Sequence, residues 1–310
     1  MKLVFMGSPE FAVTSIRKLL DSKHKVLAVV TVPDKEQGRG RKVRPSAVKI
    51  FSESRHLPVL QPEMLEDSAF ITRLRELNAD VFVVVAFKIL PKAVFDIPPR
   101  GTINLHASLL PKYRGAAPIN WALMRGEKKT GVSTIRIDEK VDTGDLLLQK
   151  STDIDEEMTA GELHDRLADL GGDLLVETLD QMEAGALKPS RQDDSKRTRA
   201  PKLNRELTRI DFAQPGEVVH NKIRGLSPYP GAYCFHENKM VKLLRSRRVK
   251  TGAQSAEPRT VVDTSRADFT IQCGNEEGVQ ILQVQPEGKK PMSAGAYING
   301  THLEIGESFR

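Results

Sequence analysis

Short apolar runs alternate with amphipathic stretches along the first half of the chain, a pattern typical of an α/β fold. Residues 2–6, 25–31 and 80–87 are almost continuously apolar, as expected for parallel strands that are buried on both faces. The run at 80–87, DVFVVVAF, is the most apolar, so we predict that it is a central strand. Leucines recur at helical spacing over 159–183 and predict a long helix packed on the sheet. The first half is therefore predicted to be a Rossmann-like, mostly parallel sheet.

The second half changes to short strands with turn residues between them. Strands are predicted at 232–236, 240–249, 260–262, 269–273, 278–286 and 302–305, and this spacing indicates a small β-barrel of the OB type. Residues 189–204 are polar, basic and poor in apolar side chains, which is typical of a linker. We therefore predict a catalytic domain over 1–188, a linker over 189–208 and a barrel domain over 209–310.

The 310 residues are enough for two domains. The N-terminus has no signal-peptide pattern and no apolar run reaches membrane-spanning length, so we expect a cytoplasmic protein and no membrane contact. The two cysteines, Cys234 and Cys273, are far apart and form no CxxC pair. We expect them to be structural thiols.

The net charge of +6 is confined to the C-terminal part. Residues 1–188 contain 27 basic and 27 acidic side chains, and residues 189–310 contain 20 and 14. A basic domain beside a neutral one suggests an anionic partner such as nucleic acid. A basic surface that only contacts solvent is the alternative, and charge alone does not exclude it.

A loop at 33–45, PDKEQGRGRKVRP, is long for a connection and rich in cations. Its glycines and clustered guanidinium groups suit contact with phosphates. A disordered, solvated loop is an equal alternative on composition alone.

The candidate chemistry lies in residues 101–122, GTINLHASLLPKYRGAAPINWA. Asn104 and His106 are two residues apart on a predicted strand, so their side chains point to the same face. An amide and an imidazole there could donate to a developing oxyanion, and the imidazole could also move a proton. A satisfied Asn and a buried His without function are the alternative. No further ligands are spaced for a metal, so we expect none.

An acidic turn at 138–145 ends in VDTGD. The simpler interpretation is that these acidic side chains form Asx turns in a loop.

Several of these residues also form a longer motif. Asn104, His106, Ser108, Leu109, Leu110 and Pro111 precede an aromatic, a basic residue and a glycine, which are Tyr113, Arg114 and Gly115. This string closely resembles the N-x-H-x-S-L-L-P signature of the folate-dependent formyltransferases. The family's D-x-G-D segment is matched by Asp142, Gly144 and Asp145. The resemblance implies catalytic roles for Asn104, His106 and Asp142. It also implies that the fold places Asp142 beside His106, where it would orient the ring and hold its protonation state.

The resemblance extends over nearly the whole chain and implies the remaining site residues. The folate donor would contact Phe87, Lys88, Ile89 and Leu90 together with Ser108, Leu109, Leu110 and Pro111. The segment at 86–91 is one residue shorter than the family's usual AYGKILP. Members that act on tRNA carry a basic insertion that is matched by Gly38, Arg39, Gly40, Arg41 and Lys42. Their C-terminal domain is similar to residues 220–233 and 286–309. Arg245 and Arg247 are strong cations of the barrel between these segments, and we expect them to contact the tRNA.

The implied activity is transfer of a formyl group from 10-formyltetrahydrofolate to the α-amino group of methionine on initiator tRNA. The implied partners are initiator methionyl-tRNA and the folate donor, and a monomer is expected. A formyltransferase that acts on an amino-sugar nucleotide or another small amine shares the chemistry and is the nearest alternative. A folate-binding hydrolase and a non-catalytic RNA-binding protein are further alternatives.

Overall fold

The computed structural model describes residues 1–37, 42–252 and 256–310. The strands are β1 (Lys2–Gly7), β2 (Lys25–Val30), β3 (Lys35–Gln37), β4 (Lys42–Arg44), β5 (Val59–Leu60), β6 (Val81–Val85), β7 (Thr102–His106), β8 (Lys129–Arg136), β9 (Leu146–Asp153), β10 (Ala232–His236), β11 (Lys239–Lys250), β12 (Val261–Thr264), β13 (Phe269–Gln272), β14 (Glu277–Pro286) and β15 (Met292–Ser293). The helices are α1 (Glu10–Leu20), α2 (Ala47–Ser54), α3 (Ser68–Glu76), α4 (Lys92–Phe95), α5 (Pro118–Met124), α6 (Ala160–Glu183), α7 (Gly216–Gly225) and α8 (Ala294–Thr301). Two 3₁₀ turns cover Asp194–Lys196 and Glu206–Thr208.

The described residues form two compact units. The first comprises residues 1–115, 130–152 and 164–199, and the second comprises residues 116–129, 153–163 and 200–310. Both units are discontinuous, whereas the apolar pattern predicted one continuous domain on each side of a linker. Residues 116–129 and 153–163, both from the first half of the chain, pack with the C-terminal residues. The hydrogen bonds that join them connect residues distant in sequence, so a local pattern does not predict them.

The first unit contains a seven-stranded sheet in the order β5-β2-β1-β6-β7-β8-β9. The pairs from β5 to β7 are parallel, and β8 is antiparallel to β7. Every residue of β6 is buried and the strand lies in the middle of the sheet, which confirms the predicted central position. The mostly parallel sheet confirms the Rossmann-like prediction. The carboxyl ends of β6 and β7 therefore open at the same edge, where ligands bind in open α/β sheets.

The second unit contains an antiparallel sheet in the order β10-β11-β14-β13-β12, with β15 on β14. The C-terminal residues close it: the backbone of Arg310 exchanges two hydrogen bonds with Phe235 of β10, and the Glu307 carbonyl accepts from Val261 of β12. The two edge strands are thereby joined through the tail, which confirms the predicted small barrel. Closing a sheet in this way removes unpaired edges.

The predicted strand at 302–305 is wrong. Helix α8 occupies the preceding residues, with the Ser293 hydroxyl capping its N-terminus, and ends at His302 in the left-handed conformation. Leu303 then enters the barrel core at 4% exposure. The alternation of apolar and polar residues in this segment is short, and the helix before it turns the chain out of the sheet direction.

The two cysteines are free and buried. Burial raises the pKa of the Cys273 thiol to about 12 and raises that of Cys234 even further. Both thiols are therefore protonated at neutral pH and pack as small apolar groups, as predicted. Among the described residues, no helix is both long and apolar enough to cross a membrane.

A buried polar cluster in the second unit organises residues 155–158. The Arg224 side chain is 2% exposed, and its guanidinium donates to the Asn221 side chain and to the carbonyls of Asp155 and Met158. Burial lowers the pKa of Arg224. The neighbouring His220 ring donates to the Glu156 carbonyl and accepts from the Ser246 hydroxyl. The motif around residue 220 thus has a structural role.

We expect Arg224→Met to lower the free energy of unfolding by about 2–4 kcal/mol, because it leaves buried carbonyls without donors. Arg73→Met is the matched control, since Arg73 and its ion-pair partner Glu76 are each 57% exposed, and such surface pairs contribute about 1 kcal/mol or less. Urea unfolding of both variants measures the difference. Equal, small losses would contradict a structural role for the buried guanidinium.

Candidate active site

The candidate site begins at the carboxyl end of β7. Asn104 is half-buried and lies on the wall of a pocket of about 120 Å³. Within the part of the chain that the structure describes, its side-chain amide makes no hydrogen bond. The amide is therefore free to donate to a group that enters the pocket.

The imidazole of His106 is held from one side by the backbone. Its Nε2 lies 2.9 Å from the carbonyl oxygen of Tyr113. Because a carbonyl only accepts, Nε2 must carry the hydrogen. The other ring nitrogen, Nδ1, lies 3.6 Å from Oδ1 of Asp142. The ring is thus oriented with Nε2 on the Tyr113 carbonyl and Nδ1 facing Asp142.

Asp142 reaches His106 from a separate loop. Its side chain is 11% exposed, and its Oδ2 accepts from the Gly115 N–H at 2.9 Å. The two oxygens therefore face different partners, one on each side. Asp138 behaves differently: its oxygens accept from Lys140 N and from the Thr143 hydroxyl, as in the predicted Asx turn.

Three residues around the site have left-handed backbones although they are not glycine. They are Ala86, Tyr113 and Asp142, with φ of 49°, 61° and 57°. Such conformations persist only where surrounding contacts enforce them, and they concentrate at functional sites. Tyr113 and Asp142 belong to the loops that contact His106, and Ala86 precedes Phe87 of the pocket wall. The loops of the candidate site are therefore held in shapes that they would not adopt alone.

The pocket itself contains part of the set that was predicted to bind the folate donor. Its wall includes Phe87, Lys88, Ile89, Leu90, Asn104, Asp142 and Gly144. Ile89 is 75% exposed and Val141 is 51% exposed, and both lie on the pocket wall. The pocket thus combines exposed apolar side chains with one amide, three carboxylates and two lysines.

The structure does not place residues 108–111 on the described part of this wall. Ser108 is fully buried, and its hydroxyl donates to the carbonyl of Lys112. The Leu110 N–H donates to the Ser133 hydroxyl, and the Leu110 carbonyl accepts from Gln149. These contacts fix the turn that leads to Tyr113.

Sequence reasoning missed three residues that contact the site loops, namely Arg114, Gln192 and Thr198. Gln192 donates to the carbonyls of Asp142 and Gly144, and Thr198 accepts from the Tyr113 N–H. Gln192 and Thr198 lie in the segment predicted to be a linker, whose polar composition is that of a surface tether. Asp193 and Asp194, which precede Ser195 in this segment, indicate only a local turn.

The basic loop is described only in part. Strands β3 and β4 pair as an antiparallel hairpin. Its base is anchored by Asp34, which accepts from Lys49 at 2.7 Å and from Gln61 at 2.8 Å. Gly38, Arg39, Gly40 and Arg41, which were predicted to contact tRNA, lie outside the described residues, as does the side chain of Lys42.

The two barrel arginines that were predicted to contact tRNA are ion-paired. Arg245 pairs with Glu162, and Arg247 Nε lies 2.5 Å from Glu157 Oε1. All four side chains are 43–53% exposed. A phosphate that binds here would have to compete with these carboxylates.

The hydrogen bond from Arg247 lowers the pKa of Glu157. A carboxyl group with a lowered pKa in the folded state stabilises the protein above its unfolded-state pKa of about 4.3, and the contribution disappears as the pH falls through the folded-state value. We therefore expect Glu157→Gln to lower Tm at pH 7. The difference from wild type should shrink below about pH 4, as calorimetry across pH would show. A difference that is constant with pH would contradict this.

Among the described residues, a cluster of side chains outside the candidate active site has the ligand types of a cation site. His24, Asp180 and Glu183 bring potential ligand atoms within 4.8 Å of one another. Lys23 already contacts both acids, at 3.0 and 3.1 Å. The cluster shares no residue with the candidate active site.

The comparisons with known proteins agree with this geometry. Residues 1–179 match the formyl transferase family, and residues 202–302 match the formyl transferase C-terminal domain family. A methionyl-tRNA formyltransferase from Caldanaerobacter subterraneus is 45% identical over 308 residues, covering 99% of both chains. One from Citrifermentans bemidjiense is 44% identical over 307 residues, covering 99% of this chain and 95% of the relative.

Solved structures show the same fold. HypX from Aquifex aeolicus, in complex with tetrahydrofolic acid, has a TM-score of 0.69 at 17% identity, with 99% of this chain and 48% of HypX covered. This chain thus spans about half of HypX. The sugar 3N-formyl transferase WlaRD has a TM-score of 0.67 at 20% identity and covers 94% of this chain and 99% of its own.

The fold, the paired Asn and His on β7 and the two domain matches define a formyl-transferring enzyme. Within that class, the chain belongs to the methionyl-tRNA formyltransferase family.

Proposed function

We propose that this chain transfers the formyl group of 10-formyltetrahydrofolate to the α-amino group of methionine on initiator tRNA. The observation that carries the proposal is that Asn104 and Asp142 line one pocket and that Nδ1 of His106 lies 3.6 Å from Asp142. The identity of 44–45% to methionyl-tRNA formyltransferases over nearly the full length of the chain supports methionine-charged tRNA as the acceptor.

The chemistry needs one bond formed and one broken. The neutral α-amine attacks the formyl carbon, and the carbonyl oxygen becomes an oxyanion. The Asn104 amide, which has no partner among the described residues, would donate to that oxyanion. Collapse of the intermediate breaks the bond from the carbon to the folate nitrogen, which must gain a proton. The attacking amine must lose one.

His106 and Asp142 would handle these protons. Because Nε2–H is fixed on the Tyr113 carbonyl, proton exchange occurs at Nδ1, which faces Asp142. The carboxylate stabilises the ring when Nδ1 is protonated and helps to take the proton from the amine. The ring can then deliver a proton to the departing folate nitrogen.

The donor site would use the pocket wall. We propose that Phe87, Lys88, Ile89 and Leu90 contact the folate, with apolar surface supplied by Phe87 and Ile89. Ser108, Leu109, Leu110 and Pro111 would support the donor site through the turn they form before Tyr113. We propose no metal in the reaction, since the residues of the site supply both the oxyanion donor and the proton carrier.

The tRNA would be bound by cations outside this pocket. We propose phosphate contacts from Gly38, Arg39, Gly40, Arg41 and Lys42, and from Arg245 and Arg247 on the barrel. Arg245 and Arg247 would exchange their glutamate partners for phosphates. Because such contacts release counterions, affinity for the charged tRNA should fall as salt rises.

We also propose a cytoplasmic monomer without membrane contact. The proposed acceptor is a substrate of translation, and Asn104, His106 and Asp142 all come from one chain. Sedimentation in the presence and absence of tRNA measures the oligomeric state.

The experiment that tests the function supplies 10-formyltetrahydrofolate with methionine-charged initiator tRNA, elongator Met-tRNA or amino-sugar nucleotides in parallel. We expect formyl-methionine on the initiator and little on the other acceptors. Transfer to a sugar alone, or release of formate without an acceptor, would overturn the proposed acceptor.

A further inference from the structure

The segment that connects the two predicted domains contacts both loops of the candidate site. Ser190 exchanges two backbone hydrogen bonds with Leu146 at 2.8 and 2.9 Å, directly after the loop that carries Asp142. Thr198 lies against the other loop and accepts from the Tyr113 N–H at 2.9 Å. Residues 190–198 therefore run alongside the candidate site and contact both of its loops.

Gln192 is the centre of these contacts. Its Nε2 donates to the carbonyls of Asp142 at 2.9 Å and Gly144 at 2.8 Å. Its Oε1 accepts from Nε and Nη2 of Arg114 at 3.1 and 2.7 Å. Both donors and both lone pairs of the amide are thus used.

Arg114 completes the connection between the loops. Its side chain is 10% exposed, and its Nη2 also lies 2.8 Å from Asp194 Oδ1. Its backbone N–H donates to the Thr198 carbonyl. Arg114 lies between Tyr113, whose carbonyl holds His106, and Gly115, whose N–H holds Asp142. One amide therefore ties together the loops that orient the two ionisable groups.

We propose that Gln192 is a positioning residue that holds the Asp142 loop in register with His106. The proposal rests on the proposed function, because it assigns Gln192 a part in that same reaction. Asp142 has a left-handed backbone, a conformation that needs support from outside its own loop. The two hydrogen bonds from Gln192 to the loop carbonyls supply that support.

His106 Nδ1 and Asp142 Oδ1 are 3.6 Å apart, so a small shift of the Asp142 loop would separate them. A displacement of about 1 Å can lower the rate of catalysis about a hundredfold. Without the amide, the Asp142 and Gly144 carbonyls lose their donors and the Arg114 guanidinium loses an acceptor. The Asp142 loop is then free to relax away from His106.

The test compares Gln192→Met with Gln192→Glu. Met removes all four hydrogen bonds at similar volume. Glu keeps the acceptors for Arg114 but cannot donate to the two carbonyls. We expect both variants to lower kcat about 10- to 100-fold, with KM for each substrate within about threefold and a changed pH profile of kcat. Gln181→Met is the matched control, since among the described residues the Gln181 side chain donates only to Glu177 on the same helix, and it should keep wild-type kcat.

A double-mutant cycle separates positioning from a general structural effect. If Gln192 acts through the carboxylate, Gln192→Met should cost little more than about twofold in an Asp142→Asn background. A full additional loss in that background, or wild-type kcat in both single variants, would overturn the proposal.

A second readout does not depend on the acceptor. The ring signals of His106 in NMR spectra of the full chain should move in Gln192→Met and stay in place in Gln181→Met. If the wild type fails to formylate any tRNA, the proposed function is wrong, while a moved His106 signal still supports the positioning role. Unmoved signals would contradict that role whatever the acceptor.

Discussion

Replacement of His106 by Asn is expected to lower kcat for formyl transfer by about 10²–10⁴, the range typical of lost acid–base catalysis. Asn can place an amide at the position of Nδ1, facing Asp142, but it loses the Nε2 hydrogen bond to the Tyr113 carbonyl and cannot exchange a proton at neutral pH. The pocket wall, which contains Asn104 and residues 87–90, is untouched. KM for the folate donor should therefore stay within a few-fold. Single-turnover measurements with charged initiator tRNA isolate the chemical step.

His56→Asn is the matched control for this experiment. His56 is exposed and has a φ of 54°, a left-handed conformation that Asn tolerates well. It makes the same chemical change far from β7 in sequence and should leave kcat unaltered. A His106→Asn enzyme that works within tenfold of wild type would contradict the proton-transfer role.

Gly144→Ala should be almost as damaging to activity and should also destabilise the protein. A Cβ on Gly144 would lie 1.7 Å from the carbonyl oxygen and 2.9 Å from the carbonyl carbon of Arg136, both of which belong to the backbone of β8 and cannot rotate away. The loop must therefore move, and it takes Asp142 with it. We expect kcat to fall about a hundredfold and the free energy of unfolding to fall by about 1–3 kcal/mol.

The control for this change is Gly300→Ala in α8. A Cβ there meets no atom within 4 Å, and Ala favours a helix over Gly by about 1 kcal/mol. Thermal unfolding should show a small gain for Gly300→Ala and a clear loss for Gly144→Ala. Wild-type activity in Gly144→Ala would show that the position of Asp142 is not critical.

The candidate catalytic pair on β7 was predictable because it depends on one strand. A strand alternates its side chains with a period of two, so Asn104 and His106 had to share a face once that strand was recognised. The central position of β6 followed in the same way from a continuous apolar run. The barrel was predictable as a class, since short strands with turns between them need a closed or covered edge.

The placement of Asp142 beside His106 came from the resemblance and not from local pattern, because 36 residues separate them. The structure adds what neither source contained. The Tyr113 carbonyl decides which nitrogen of His106 is free, and a backbone carbonyl has no sequence signature. The segment around Gln192 was predicted to be a linker, because its polar side chains look the same whether they contact water or loop carbonyls.

By itself, then, the sequence determined most of the strands, the fold class of each half, the polar face of β7 and the excess charge of the C-terminal part. Periodicity and composition encode these properties locally, since burial of apolar side chains sets the pattern. Only the tertiary structure decided how the two units divide the chain, how the tail closes the barrel, and how Gln192 and Arg114 join the loops around His106. These features depend on hydrogen bonds between groups that are distant in sequence, and many of them use backbone groups, which every residue type carries.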